Sequence, residues 1–190
     1  CTKIVVAFWI SLKTSLVGLT ISIVFGLTLG VLMAQAKWLE RSLWPYLIAL
    51  QVTPIIAIVP LMIKLVGSNF AARVLVTVII SLFPIVSNTL FGVQSTPKNM
   101  HDLFTLNKAS RATRLLKLQL PAASPAIFSG LRISAGLAVI GAIVGDFFFA
   151  KGDPGLGKLI TQFFLNSQAS AMFVTALAAT LLGLMLFIIF

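Results

Sequence analysis

Five apolar stretches constrain this chain more than any motif in it. They run over about 8–35, 43–66, 70–94, 121–150 and 168–190. Each is longer than the roughly 20 residues an α-helix needs to cross a hydrocarbon core. Only 9% of the residues are charged and 59% are hydrophobic, where a soluble domain carries about 25% charge. A chain this apolar cannot cover itself with polar surface, so its solvent is a bilayer. In lipid every backbone N–H and C=O must be paired, which leaves helices or a closed barrel. Barrel strands alternate with period two in segments of about ten residues, and that alternation is absent. The expected fold is an all-α integral membrane protein with five transmembrane helices, 1–190 forming one domain. The chain begins at Cys1 and stops inside "LLGLMLFIIF", so further helices are expected beyond both ends. One cysteine allows no internal disulfide.

Local signals refine this outline. Pro54 and Pro60 interrupt the second stretch, which predicts a kinked or partly broken helix there. Gly26 and Gly30, and Gly141 and Gly145, have the four-residue spacing that lets helices pack closely. Residues 152–159, "GDPGLGKL", nearly spell the phosphate loop G-x-x-x-x-G-K-[ST]. Leu159 stands where the Mg²⁺-binding hydroxyl belongs, and a long apolar helix rather than a strand precedes it. A Gly/Pro turn joining two membrane helices is the expected structure, with Lys158 as a surface base and no nucleotide bound.

The polar stretch 95–120, "STPKNMHDLFTLNKASRATRLLKLQL", holds five of the fourteen Lys and Arg: Lys98, Lys108, Arg111, Arg114 and Lys117. Asp102 is its one acid. Such density of positive charge beside membrane helices places the loop in the cytoplasm and 151–167 on the other side. Leu103, Leu106, Leu115, Leu116 and Leu118 interleave with the bases, predicting two short amphipathic helices with a break near Asn107–Lys108. Two uses fit such a loop: lying on anionic headgroups, or docking into a groove of a cytoplasmic protein. His101 has no second ligand near it in sequence and reads as a solvated side chain, so no metal site is expected.

Asp102 to Pro121 resembles the E-A-A loop of binding-protein-dependent ABC importer permeases, E-A-A-x3-G-x9-I-x-L-P. Asp102 takes the Glu position, Leu118 the Ile position, and Leu120–Pro121 the L-P. Leu103 and Phe104 stand where the pattern has Ala, and Lys108 where it has Gly. "LPAASPAIFSGLRISAGLAVIGAIVGDFFFAKGDPGLGKLI" and "TPIIAIVPLMIKLVGSN" are similar to the nitrate/sulfonate/taurine branch, which also contains pyrimidine-precursor transporters. That branch carries G-L-G in the loop after the fourth stretch, here Gly155-Leu156-Gly157. The resemblance implies a type I importer permease in a prokaryotic inner membrane. It implies a second permease subunit, expected to be identical, an extracytoplasmic solute-binding protein, and a cytoplasmic ATPase pair that binds the ATP and Mg²⁺. The ATPase-coupling residues would be Asp102, Leu103, Phe104, Leu106, Lys108, Arg111, Leu120 and Pro121. This chain itself would bind no cofactor and catalyse no reaction.

Polar groups inside apolar helices usually face a bundle interior or a wet path. The candidates for the path are Gln51, Thr53, Ser81, Asn88, Ser134, Arg132 and Asp146. A Ser or Thr can instead bond its own helix, and Gln51 or Asn88 can join neighbouring helices. Asp146, deep in "AIVGDFFFA", needs either a path role or a basic partner such as Arg132, Lys151 or a base of another subunit. Arg132 lies 11 residues beyond Pro121, about 16 Å along a helix. This mixture gives no sign to the solute. A proton-coupled secondary transporter is the alternative; Asp146 would be its only relay and the basic loop would have no task. Four acids scattered over the chain do not supply the cluster a membrane enzyme needs.

Overall fold

Small residues recur at every fourth position of the first helix, and they decide how the bundle is built. In the computed structural model, which describes residues 2–67, 69–148 and 153–190 (backbone only at 60, 61 and 63), helix α1 is Thr2–Gln35. Its Gly18, Ser22, Gly26 and Gly30 form one ridge. Helix α4 (Phe70–Gln94) presents Thr77, Ser81, Ile85 and Thr89 to that ridge in the same order, so the two helices run parallel. A methyl group at Gly26 would lie 2.8 Å from Ile85 Cγ2, and one at Gly30 2.7 Å from Thr89 Cβ. No side chain fits there, so the backbones approach directly. Ser22 and Ser81 share a hydrogen bond of 2.8 Å across the seam.

α4 packs on α7 (Leu120–Phe148) by the same device. Gly92 meets Ala123 and Ala126, Gly130 meets Pro84 and Asn88, Gly141 meets Thr77, and Gly145 meets Arg73. The order is reversed, so α7 is antiparallel to α4. Both expected Gly pairs thus serve close packing within the chain.

The second apolar stretch is divided. Helix α2 (Lys37–Val52) and helix α3 (Ile55–Val66) meet at 97°. The break falls at Thr53–Pro54, where Thr53 is extended (φ −67°, ψ 123°), as the residue before a proline prefers. Pro60 lies inside α3 and does not interrupt it. Among the described residues four helices are therefore long and apolar enough to cross a membrane, or five with the bent pair counted as one span. Trp44 holds α2 on α4 through ring contacts with Phe83 and Phe91 at 5.9 and 5.5 Å. Val59 and Met62 of α3 pack on Ala72 and Val76 of α4.

The loop 95–120 forms α5 (Lys98–Leu106) and α6 (Arg111–Arg114), with the break at 107–110 as expected. The second helix is not separate, however. It passes through a π-helical turn, Leu115–Gln119, into α7, so that Arg111–Phe148 is one rod of 38 residues. Nothing in "RATRLLKLQ" stops a helix. Pro121 would clash with the carbonyl four residues back in regular α geometry, and the wider turn, with Leu120 N–H bonded to Leu115 C=O, accommodates it.

Beyond α7, Gly152 and Lys151 lie outside the described residues. The expected turn between two spans is replaced by a turn at Asp153–Gly155 and a ten-residue helix, α8 (Leu156–Leu165). α8 buries Leu156, Gly157 and Leu159 against α1, α7 and the last helix, α9 (Ala169–Ile189). This apolar anchorage makes a helix of a segment too short to span. Among the described residues there is no strand.

Candidate functional site

Three places carry the polar chemistry of the bundle. The first is the loop end. Helix α5 buries no residue, and Leu103 and Leu106 are 59% and 79% exposed. Asp102, Lys108 and Arg111 are exposed around them, and Phe104 is half-buried. Of the last two residues of the pattern, Leu120 is half-buried and Pro121 exposed in the first turn of α7. Arg114 Nη2 donates to Thr105 Oγ1 at 2.9 Å and ties α6 to α5. The bundle end beneath is fixed by Gln35 Nε2 donating to Gln119 Oε1 (2.9 Å) and Gln94 Nε2 donating to Glu40 Oε2 (2.7 Å).

α5 ends in a left-handed cap. Ala109 N–H bonds Phe104 C=O at 3.0 Å and Lys108 N–H bonds Thr105 C=O at 2.9 Å, the two bonds of a Schellman motif. Lys108 adopts φ +51° to close it. This gives the Gly of the E-A-A pattern its physical reason, since only Gly takes that conformation without penalty. α8 ends the same way, on Ser167 at φ +54°.

The second place is the far end of α7. Asp146 is fully buried, and its partner is Arg73, from the first turn of α4, at 3.1 Å. That partner is neither Arg132 nor another subunit's base; Lys151 lies outside the described residues. Ser11 Oγ of α1 donates to Asp146 Oδ2 at 2.9 Å and itself accepts from Leu156 N–H at 2.9 Å. The Gly157 N–H also bonds the carboxylate, and Arg73 Nη1 donates to the Asp153 carbonyl at 3.1 Å. One carboxylate therefore joins α1, α4, α7 and the N-terminus of α8, an end that favours negative charge. Gly155 and Gly157 lie directly against it. A methyl at Gly155 would collide with Asp146 Oδ2, and one at Gly157 with the Ile143 carbonyl. The near-phosphate-loop is thus a cradle for an internal carboxylate. Lys158 is half-buried in α8 and adds positive charge near Asp146.

The third place is the α2–α3 break, where Gln51 and Thr53 line a cleft of about 320 Å³ closed by Phe83 and Pro84 of α4 and Leu137 of α7. The remaining path candidates lie elsewhere. Ser81 and Ser134 are fully buried in the α4–α7 seam, Ser134 Oγ donating to Ser81 C=O at 2.7 Å. Asn88 is half-buried, and its Nδ2 donates to Pro84 C=O at 2.8 Å. Arg132 is exposed on α7, its guanidinium 5.4 Å from the Phe187 ring centroid.

Arg73 and Ser11 were not singled out in the sequence. Arg73 could have been: a base in the first turn of an otherwise apolar helix needs an anion as much as Asp146 needs a cation. Ser11 gives no signal beyond the small-residue ridge it shares with Ser15 and Gly18.

Residues 22–190 match the model of a family described as "Binding-protein-dependent transport system inner membrane component". The chain is 34% identical to a formylaminopyrimidine transport permease protein of Halalkalibacterium halodurans over 169 residues, 89% of this chain and 67% of that protein. It is 34% identical to a probable ABC transporter permease protein of Haemophilus influenzae over 170 residues, 90% of this chain and 69% of that one. A nitrate import permease protein of Leptolyngbya laminosa is 29% identical over 182 residues, 94% of this chain and 64% of the relative. The chain thus spans about two thirds of the length of these proteins.

Proposed function

Because the chain belongs to the family of binding-protein-dependent ABC importer permeases, inner-membrane components of transport systems, we propose that α5 is its coupling helix and seats in a cytoplasmic ATPase subunit. The observation that carries this reading is α5 itself. It is a helix with no buried residue, projecting Leu103 and Leu106 into the open, held at a fixed angle by the Lys108 cap and the Arg114–Thr105 bond. An apolar face between charged rims suits a groove on a protein partner. Asp102, Leu103, Phe104, Leu106, Lys108 and Arg111 form the contact, and Leu120 and Pro121 transmit it, because α6 and α7 form one rod.

In this account ATP and Mg²⁺ bind the ATPase pair, and closure of that pair swings α5 and tilts the α6–α7 rod. α4 is sealed to α7 through Gly92, Gly130, Gly141 and Gly145, so the tilt moves α4 as well. Two permease copies alternate access for a small solute between them, delivered by a binding protein at the α8 end. Loop 95–120 is cytoplasmic. The burial of Asp146 against Arg73 supports this reading over a proton-coupled transporter, since a relay acid must reach water.

The test is Leu103→Asp in the assembled importer. It places a charge in the docking groove without a partner, and loss of binding-protein-stimulated ATP hydrolysis with normal membrane insertion is expected. Undiminished stimulation would overturn the docking assignment.

A further inference from the structure

Two neighbouring ridges of α1 have opposite chemistry. Gly18, Ser22, Gly26 and Gly30 form the seam with α4. One position earlier run Val17, Ile21, Phe25 and Leu29, which with the α4 face from Phe70 to Leu82 line a groove of about 590 Å³. Lys13 is the next member of that ridge, four residues before Val17. Its exposed Nζ lies 5.7 Å from the Phe70 ring centroid. Among the described residues Lys13 makes no ion pair or hydrogen bond. One ammonium therefore heads an apolar channel.

Its depth follows from helix length. α4 has 25 residues, about 37 Å of helix, against a hydrocarbon core of about 30 Å. With Gln94 at one boundary, the first turn of α4 reaches the other, and Phe70 and Lys13 stand at headgroup level. Twelve positions separate Phe70 from Leu82, about 18 Å, close to the roughly 15 Å depth of one leaflet.

The lining distinguishes a lipid from a protein helix. Helices in membranes pack through small and hydrogen-bonding residues, and the seams of this bundle do so. The groove has Ala71 as its one small residue and no Gly, Ser or Thr. We infer that it holds an acyl chain of an anionic phospholipid whose phosphate pairs with Lys13, in the leaflet away from loop 95–120. An ammonium binds phosphate as a point charge, and the Phe70 ring holds it at the mouth of the groove. A zwitterionic headgroup brings its own ammonium and gains less from Lys13, because like charges repel.

Photo-crosslinking tests this in the full-length permease, reconstituted in vesicles of equal phosphatidylglycerol and phosphatidylethanolamine. A photoreactive amino acid replaces Phe25, 60% exposed in the groove, or Leu181, 62% exposed on α9. Adducts are identified by mass spectrometry. The ratio of phosphatidylglycerol to phosphatidylethanolamine adducts is expected to be at least threefold higher at 25 than at 181. Lys13→Gln is expected to remove that excess and Lys13→Arg to keep it. Equal ratios at the two positions, or an excess that survives Lys13→Gln, would overturn the site. So would adducts from 25 to protein, which would show a second copy or another helix in the groove.

Discussion

Removing the Asp146 carboxylate separates an ion-pair lock from a decorative contact. The Arg73 and Asp146 side chains are 3% and 0% exposed and 3.1 Å apart. In Asp146→Ala the guanidinium keeps the Asp153 carbonyl but loses its counter-charge. Ser11 keeps Leu156 N–H but loses its acceptor. Breaking a buried pair from one side costs about 3–5 kcal/mol, a fall in Tm of roughly 10 °C for a domain of this size. Replacing both partners with apolar residues, Arg73→Met with Asp146→Leu, removes the uncompensated charge as well. The double variant is expected to be more stable than either single change by about 2 kcal/mol. Thermal unfolding of the detergent-purified permease, followed by circular dichroism, gives all four corners of the cycle. Single changes that cost under about 0.5 kcal/mol, or two that simply add, would refute the lock.

Other expectations follow from the same geometry. Lys108→Gly relieves a left-handed non-Gly residue and is expected to stabilise α5 by about 1 kcal/mol, read as slower hydrogen exchange at Phe104–Leu106, while Lys108→Val has the opposite effect. Gly155→Ala forces a methyl into the Asp146 carboxylate and is expected to lower Tm far more than Lys158→Ala; equal effects would contradict the cradle. Gly26→Leu pushes α1 off Ile85 and is expected to reduce the yield of folded protein in membranes, measured by fluorescence-detected size exclusion. A cysteine at Arg111 is expected to react with an impermeant maleimide only in inverted vesicles; reaction only in right-side-out vesicles would reverse the topology.

Composition and stretch length made the membrane class readable, because nothing else accounts for apolar runs of this length. The glycine spacings were readable as seams, but not which helix each seam meets. Gly26 and Gly141 both serve α4, and only the fold shows α4 to be central. The α5–α6 break was visible at Asn107–Lys108 because two leucine patterns lose phase there. The joining of α6 to α7 was not, since Pro121 signals a stop unless a π turn absorbs it. α8 was hidden because ten residues with a Gly-Pro entry look like loop. The Asp146 site was half legible. Burial cost left it a choice between a path role and a basic partner; Arg73 lies 73 positions upstream, and such pairings belong to topology rather than local pattern. Gln51 and Thr53 were candidates as polar residues; the cleft that unites them depends on the sharpness of the bend at Pro54.

The central claim, that α5 docks into an ATPase subunit, is tested most directly by photo-crosslinking from α5 in native membranes. A photoreactive amino acid replaces Leu106, with Phe173, exposed on α9, as the comparison site. An adduct is expected between position 106 and a cytoplasmic ATPase subunit, absent from position 173 and diminished by Leu103→Asp. Adducts from 106 confined to lipid, or an ATPase adduct from 173 in its place, would contradict it.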